Sequence, residues 1–358
     1  MNLLVTGGCG FIGSHFIERW LRRQGADARD RVVNLDLLTY AGHRANLTSF
    51  ADDPRHVFVQ GDIGDETLVG ELLAQHEIGA IVNFAAESHV DRSIDSPAPF
   101  IRTNIVGTER LLSAAQRHCA ATGRASSFRF LHVSTDEVFG DLPAGVPPAT
   151  ETSPYAPRSP YAASKAAADH LVRAYGHTYG LPVLITYCCN NYGPRQLPEK
   201  LIPLALHRAI EGKDIPVYGD GLQIREWLHV ADHADAVIRV LESGRPGESY
   251  AISSGDALTN LELLRLLCEL LDHKRPLDGG RRYASQLVHV ADRPGHDRRY
   301  ALDPTKISSE LGWRTSHTLR AGLDATIDWY LSHPEWTSAV MAARHASQRL
   351  GTGQLPPR

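Results

Sequence analysis

Two short groups of residues in this 358-residue chain carry side chains that could do chemistry together. Tyr161 and Lys165 stand four residues apart in Ser159-Pro-Tyr-Ala-Ala-Ser-Lys165, so on a helix they share one face, a turn apart. A phenol, with an ordinary pKa of about 10, is a poor base at neutral pH. An ammonium beside it, together with a positively charged ring, favours the phenolate and makes it usable. The second group is Thr135-Asp136-Glu137. Adjacent carboxylates repel, so one can rise in pKa and act as an acid while the other stays ionised as a base. Alcohol oxidation needs only the first group. Elimination of water also needs the second, because a base must take a carbon-bound proton while an acid protonates the departing hydroxyl.

Oxidation requires a hydride carrier, and the chain opens on the pattern that binds one. Leu3-Leu4-Val5 reads as a strand, Phe11 to Arg23 as a helix, and Gly7, Gly10 and Gly13 form a G-x-x-G-x-x-G run across the turn between them. Glycines let the backbone turn sharply, approach a pyrophosphate without a Cβ, and pack the helix on the sheet, whose N-terminus then faces the phosphates. Asp36 ends the next strand about 20 residues on, where a carboxylate accepts hydrogen bonds from an adenosine ribose. An acid there repels a 2′-phosphate, which favours NAD over NADP. Asp62 with Ile63 follows the third strand in the same way and is placed to hold the adenine edge; a plain turn aspartate is the alternative.

Further apolar runs at Val32-Leu35, Val57-Gln60, Ala80-Phe84, Phe128-Val133 and Val183-Tyr187 alternate with helical patterns. That rhythm predicts an α/β fold with a doubly wound parallel sheet of Rossmann type. After Asn190 the rhythm loosens, with strands at Ile215-Tyr218 and Ser249-Ile252 and helices at Ala231-Ser243, Asn260-Leu271 and Leu319-Leu331. The expected division is an NAD-binding domain over 1–189, rejoined by about 226–255. A smaller, C-terminal substrate-binding lobe takes 190–225 and 256–335, and 342–358 forms a frayed tail.

The bulk composition excludes several classes. A formal net charge of -4 without a basic patch argues against nucleic acid, and no apolar run reaches the roughly 20 residues of a spanning helix. The chain starts directly on a strand pattern with no leader, which points to the cytoplasm. Five cysteines, Cys9, Cys119, Cys188, Cys189 and Cys268, form no C-x-x-C pair, so reduced thiols are expected and no metal site.

The motifs together resemble a known family. Phe84-Ala-Ala-Glu-Ser-His-Val-Asp-Arg-Ser-Ile94, the Thr135-Asp-Glu137 triplet, the Tyr161/Lys165 segment, Asn190-Asn-Tyr-Gly-Pro194, Pro198-Glu-Lys-Leu-Ile-Pro203, Gln223-Ile-Arg-Glu-Trp227 and Ala291-Asp-Arg-Pro-Gly-His-Asp-Arg-Arg-Tyr300 are similar to the dTDP-glucose 4,6-dehydratases of the extended short-chain dehydrogenase/reductase superfamily. The resemblance implies a redox-neutral step of deoxysugar biosynthesis on a nucleotide sugar, with NAD tightly bound and regenerated each turnover. Tyr161 would take the O4 proton as hydride leaves C4, with Lys165 holding the ribose. Glu137 would remove the C5 proton while Asp136 protonates the 6-hydroxyl, and Thr135 would hydrogen-bond near O4.

The same likeness implies a cofactor set of Gly7, Gly10, Phe11, Ile12, Gly13, Asp36, Leu37, Thr39, Asp62, Ile63, Ala85, Ala86, Thr103, Tyr161, Lys165 and Asn191. It implies substrate contacts from Ser88, Thr135, Asn190, Glu199, Lys200, Leu201, Pro216, Tyr218, Arg225, Asn260, Arg293 and His296. Arg225 and Arg293 suit a diphosphate, because a guanidinium fork meets two oxygens at once. A homodimer joined through helices of the nucleotide domain is implied as well.

The chain departs from the family pattern at Thr186-Tyr-Cys-Cys189, at Arg195-Gln-Leu-Pro198 where an aromatic usually follows Gly-Pro, and at Phe139 where tyrosine is usual. These positions border the nucleotide-sugar loops, so another NDP-hexose stays open as substrate. A nucleotide-sugar 4-epimerase would need only Tyr161 and Lys165. A sugar-acid decarboxylase would want a cation in place of the acidic pair, and a non-catalytic NAD-binding regulator would need none of the four.

Overall fold

The computed structural model describes residues 1–23 and 29–342. The tail expected over 342–358 lies outside the described residues, except for Ala342, the last residue of the final helix.

The strands are β1 Leu3–Thr6, β2 Val32–Asp36, β3 His56–Gln60, β4 Ala80–Asn83, β5 Arg129–Thr135, β6 Val183–Cys188, β7 Asn190–Tyr192, β8 Ile215–Tyr218, β9 Ile224–His229, β10 Ser249–Ile252, β11 Ala257–Thr259 and β12 Leu287–Val290. The helices are α1 Phe11–Arg23, α2 Glu66–Gln75, α3 Val90–Asp95, α4 Ala98–Phe100, α5 Thr108–Thr122, α6 Pro160–Tyr179, α7 Leu201–Ile210, α8 Val230–Ser243, α9 Asn260–Lys274, α10 Thr305–Leu311, α11 Leu319–Ser332 and α12 Pro334–Ala342. A π-helical stretch over Ile101–Gly107 joins α4 to α5.

Seven strands form one sheet in the order β10-β6-β5-β4-β1-β2-β3, and every pairing in it is parallel. Parallel strands need crossovers, and the helices that make them cover both faces; this is why Leu3 to Val5 of β1 and Ala80 to Val82 of β4 read as unbroken apolar runs. Alternate residues feed two cores. Leu3, Val5, Val82 and Leu131 pack with Phe16 and Trp20 of α1 and Val237 of α8. Leu4, Ile81 and Phe130 pack with Leu72 of α2, Leu111 of α5 and Val172 of α6. The strand order reverses between β1 and β4, so a crevice opens there at the carboxyl ends, where open α/β sheets bind ligands.

Ser249–Ile252 returns to the large sheet beside β6. The remaining strands make two small sheets, β11-β9-β7 and β12-β8. Against them a third core gathers Leu206 of α7, Val217 of β8, Leu267 of α9, Leu323 of α11 and Trp336 of α12. Sequence periodicity found β8 and β10 but not β7, β9, β11 or β12. Three of these are three or four residues long, and β9, whose Ile224-Arg-Glu-Trp-Leu-His229 run carries charges, is buried at all but its first residue.

Candidate active site

Backbone forms the side of the crevice under β1. At Gly7 φ is +69°, and a Cβ would come within 2.7 Å of Ala85 N. A Cβ on Gly13 would run into the Gly7 carbonyl. Glycine at both positions keeps the N-terminus of α1 close to the sheet and open to an anion. Asp36 accepts hydrogen bonds from the backbone N–H of Cys9 and of Leu38, each at 2.8 Å, which ties the glycine loop to the end of β2. Burial raises its carboxyl above the usual range. The cradle vacated by the missing Cβ atoms, the helix N-terminus and the Asp36 carboxylate together fit a dinucleotide's pyrophosphate and ribose.

The opposite wall comes from β5 and α6. Ser159 caps α6, its Oγ accepting from Ala162 N–H at 3.1 Å, and Pro160 takes the first helical position. That start puts Tyr161 and Lys165 on the buried face, 8% and 3% exposed. Tyr161 N–H donates to Ser93 Oγ at 3.2 Å, and Lys165 Nζ donates to Val133 O at 2.8 Å.

Thr135 ends β5 and opens the short turn Asp136–Phe139, its Oγ1 accepting from Glu137 N–H at 3.3 Å. The same hydroxyl donates to Asp136 Oδ1 at 3.1 Å and is hydrogen-bonded to Tyr161. Phe139 packs on Tyr187 and Tyr155, with ring centroids 4.9 and 5.5 Å away, so the residue found in place of tyrosine is part of an aromatic cluster beneath the turn.

The two carboxyls have different surroundings. Burial, then the charge of Glu137, pushes Asp136 up to about 8, and among the described residues its Oδ2 has no hydrogen-bond partner. Burial also raises Glu137, but Arg293, Arg225 and Lys200 pull it back. A carboxyl raised that far, beside a second one that three cations pull toward its ionised form, suits the acid–base division that elimination requires. Burial and the Glu137 carboxylate hold the Tyr161 phenol well above its ordinary range. A phenolate there calls for more positive charge than Lys165 supplies alone, since its ammonium is turned toward Val133 O and His132.

One cleft takes in all of these groups. Its lining includes every residue of the expected cofactor set, from Gly7 to Asn191, with Thr135, Asp136 and Glu137. Of the expected substrate residues it takes Ser88, Thr135, Asn190 and Lys200; the other eight lie outside the lining. Their partners are local: Arg225 donates to Asp297 O at 2.8 Å and lies over the Tyr300 ring, and Arg293 donates to Asp91 Oδ1 at 3.0 Å. His296 contacts Asp292 at 2.6 Å. Glu199 faces Arg92 and His89 at 3.7 and 3.9 Å. Leu201 opens α7, Asn260 opens α9, and Pro216 and Tyr218 are on β8.

Sequence reasoning missed Glu87, Ser134, Gln196 and Leu197 in the lining. Glu87 was inside a quoted motif, and Ser134 immediately precedes the triplet. Cys188 and Cys189, expected as reduced thiols, are buried and also line the cleft.

Residues 4–326 match the family described as GDP-mannose 4,6 dehydratase. The chain belongs to that family. Among curated relatives, the dTDP-glucose 4,6-dehydratase of Xanthomonas campestris pv. campestris (strain B100) is 52% identical over 350 residues, covering 97% of this chain and 98% of that one. The dTDP-glucose 4,6-dehydratase 1 of Escherichia coli (strain K12) is 48% identical over 357 residues, 97% of each chain. Among solved structures, DesIV of Streptomyces venezuelae, a dTDP-glucose 4,6-dehydratase with NAD and TYD bound, superposes with a TM-score of 0.86 at 48% identity. That match covers 95% of this chain and 100% of that one.

Proposed function

We propose that this member of the 4,6-dehydratase family is an NAD-dependent hydro-lyase that converts dTDP-glucose to dTDP-4-keto-6-deoxyglucose. The observation that carries the reading is the opening of the Tyr161/Lys165 pair and the Thr135-Asp136-Glu137 turn into one cleft beside the glycine cradle. Relatives near 50% identity over almost the whole chain support dTDP-glucose over other nucleotide sugars. A 4-epimerase would leave the acidic pair without work.

The glycine cradle, Asp36 and Lys165 would hold NAD, which when bound would supply the hydride acceptor for C4 and the hydride donor for C6. Tyr161 accepts the O4 proton. The resulting ketone acidifies C5–H, whose proton Glu137 takes while Asp136 protonates O6 and water leaves. Glu137 returns its proton to C5 as C6 is reduced. The cycle ends with one proton too many on Tyr161 and one too few on Asp136. The Thr135 hydroxyl, bonded to both, lies on the path that restores them. Lys200, Arg225 and Arg293, the cations that act on Glu137, are assigned to the diphosphate, with Ser88 and Asn190 toward the sugar.

In this reading residues 1–189 with 226–255 hold NAD, and 190–225 with 256–335 hold the nucleotide sugar. Among the described residues no helix is long and apolar enough to cross a membrane; the reading places the enzyme in the cytoplasm. Ile101, Val106 and Tyr179 expose 51%, 45% and 57% of their surfaces on the helical face of the nucleotide domain, which supports the homodimer.

The test is to incubate purified protein with dTDP-glucose and no added NAD, following product mass. Loss of one water supports the reading. Unchanged mass with an inverted C4 would make it an epimerase, and dehydration confined to UDP- or GDP-hexoses would change the substrate.

A further inference from the structure

Behind the catalytic face of α6 lies a buried polar group that the reaction does not touch. Asp169, fully buried, is one turn beyond Lys165. Its Oδ2 accepts from Ser134 Oγ at 2.7 Å and from Tyr155 OH at 3.0 Å. Arg173, the next turn along, donates to Tyr155 OH at 2.9 Å and to Tyr187 OH. Among the described residues Asp169 Oδ1 has no hydrogen-bond partner, and it faces His132 Nε2 at 3.5 Å.

The ring of His132 lies between Asp169 and Lys165. Ala85 N–H donates to Thr6 Oγ1 at 3.3 Å, so the Thr6 hydroxyl proton goes to Asn83 Oδ1, 2.6 Å away. The Asn83 amide is 3.0 Å from His132 Nδ1 and holds the ring on its far side. Burial and the charge of Lys165 keep this imidazole neutral. Lys165 Nζ lies 3.2 Å from the same Nε2 that Asp169 Oδ1 approaches to 3.5 Å. A buried ammonium is stable only with a negative group near it, and Asp169, across the His132 ring, is that group.

We infer that Asp169 is a positioning residue which, with His132 as its spacer, holds Lys165 as an ammonium at the wall of the cofactor cleft. Burial alone pulls Lys165 down toward the neutral amine, and Asp169 opposes it. A neutral Lys165 would neither hold a ribose as firmly nor help Tyr161 ionise. The charged and titratable groups around the pair are Arg173 on α6, His132 on β5, Tyr155 before α6, and Tyr187 and Cys188 on β6. The role in turnover rests on the dehydratase reading; the charge state of Lys165 does not.

The chain has five lysines, so protein labelled with 13C at lysine Cε gives a spectrum in which Lys165 can be assigned by substitution. In unmutated protein without substrate, Lys165 is expected to remain an ammonium at about pH 8. In Asp169→Asn its titration midpoint should fall by about one unit or more, with NAD bound about tenfold more weakly. The pH–rate profile should narrow from both sides, as Tyr161 ionises later and Lys165 is lost earlier. Ser134→Ala removes a hydrogen bond from the same carboxylate but keeps its charge, and should leave the Lys165 midpoint in place. A Lys165 midpoint unmoved in Asp169→Asn, or moved equally in Ser134→Ala, would overturn the inference. So would a neutral Lys165 in the unmutated protein at neutral pH, a result that needs no variant to fold.

Discussion

The two halves of the cleft are built by different means. The cofactor half is backbone: glycines without a Cβ, the N-terminus of α1, and one carboxylate tied to two N–H groups. The region assigned to the nucleotide sugar draws on long cations brought from distant segments, of which Lys200 lines the cleft while Arg225 and Arg293 lie outside its lining. Lys200 Nζ donates to Ser88 O at 3.1 Å, Arg225 reaches the 297 carbonyl, and Arg293 reaches back to Asp91. A backbone cradle holds its shape before a ligand arrives, whereas cations tied to carbonyls and carboxylates must exchange those partners to receive a diphosphate. The first half therefore sets affinity through shape, and the second through charge that is also felt by Glu137.

The strongest way to break this division is at the turn between the halves. Glu137→Gln should lower kcat by about 10²- to 10⁴-fold, the usual worth of a positioned base, with NAD affinity unchanged. An unaltered rate would remove Glu137 from the chemistry. Next, Gly7→Ala forces a side chain into the left-handed region, about 1–2 kcal/mol by itself, and against Ala85 N. Thermal unfolding and NAD titration should both worsen, while the KM for sugar in NAD-saturated protein holds.

Arg293→Ala should do the reverse, raising KM about tenfold with NAD binding intact. It also carries a pH signature. Arg293 is the leading charge holding Glu137 down, so its removal raises Glu137, and the acid limb of kcat/KM should move to higher pH. Movement to lower pH would mean that the base is another group. The smallest effect is expected at Asp36→Asn, which keeps the shape of the loop and removes the charge that repels a 2′-phosphate. NAD should weaken several-fold and NADP gain, read by competitive titration.

The same contrast explains what was legible in the sequence. Gly7, Gly13 and Asp36 declare themselves because their roles are local and depend on backbone, and the seven-stranded sheet followed from apolar runs covered on both faces. Ser249–Ile252 was legible as a strand in a segment expected to rejoin the NAD-binding domain, but not its pairing with β6, because that partner is 64 residues away. Arg225 and Arg293 came from motif likeness, and spacing could not have shown that they meet near Glu137. Asp169 gave no signal at all: it sits at helical spacing from Lys165, as many aspartates do, and only the placement of the His132 ring between the two reveals what it faces.

The most direct test of the central account is a single turnover with dTDP-glucose carrying deuterium at C4. If one cleft oxidises, eliminates and re-reduces without releasing its carrier, the deuterium must reappear at C6 of the 4-keto product with no exchange into solvent. Product that has lost the label, or that keeps it at C4, would contradict the account.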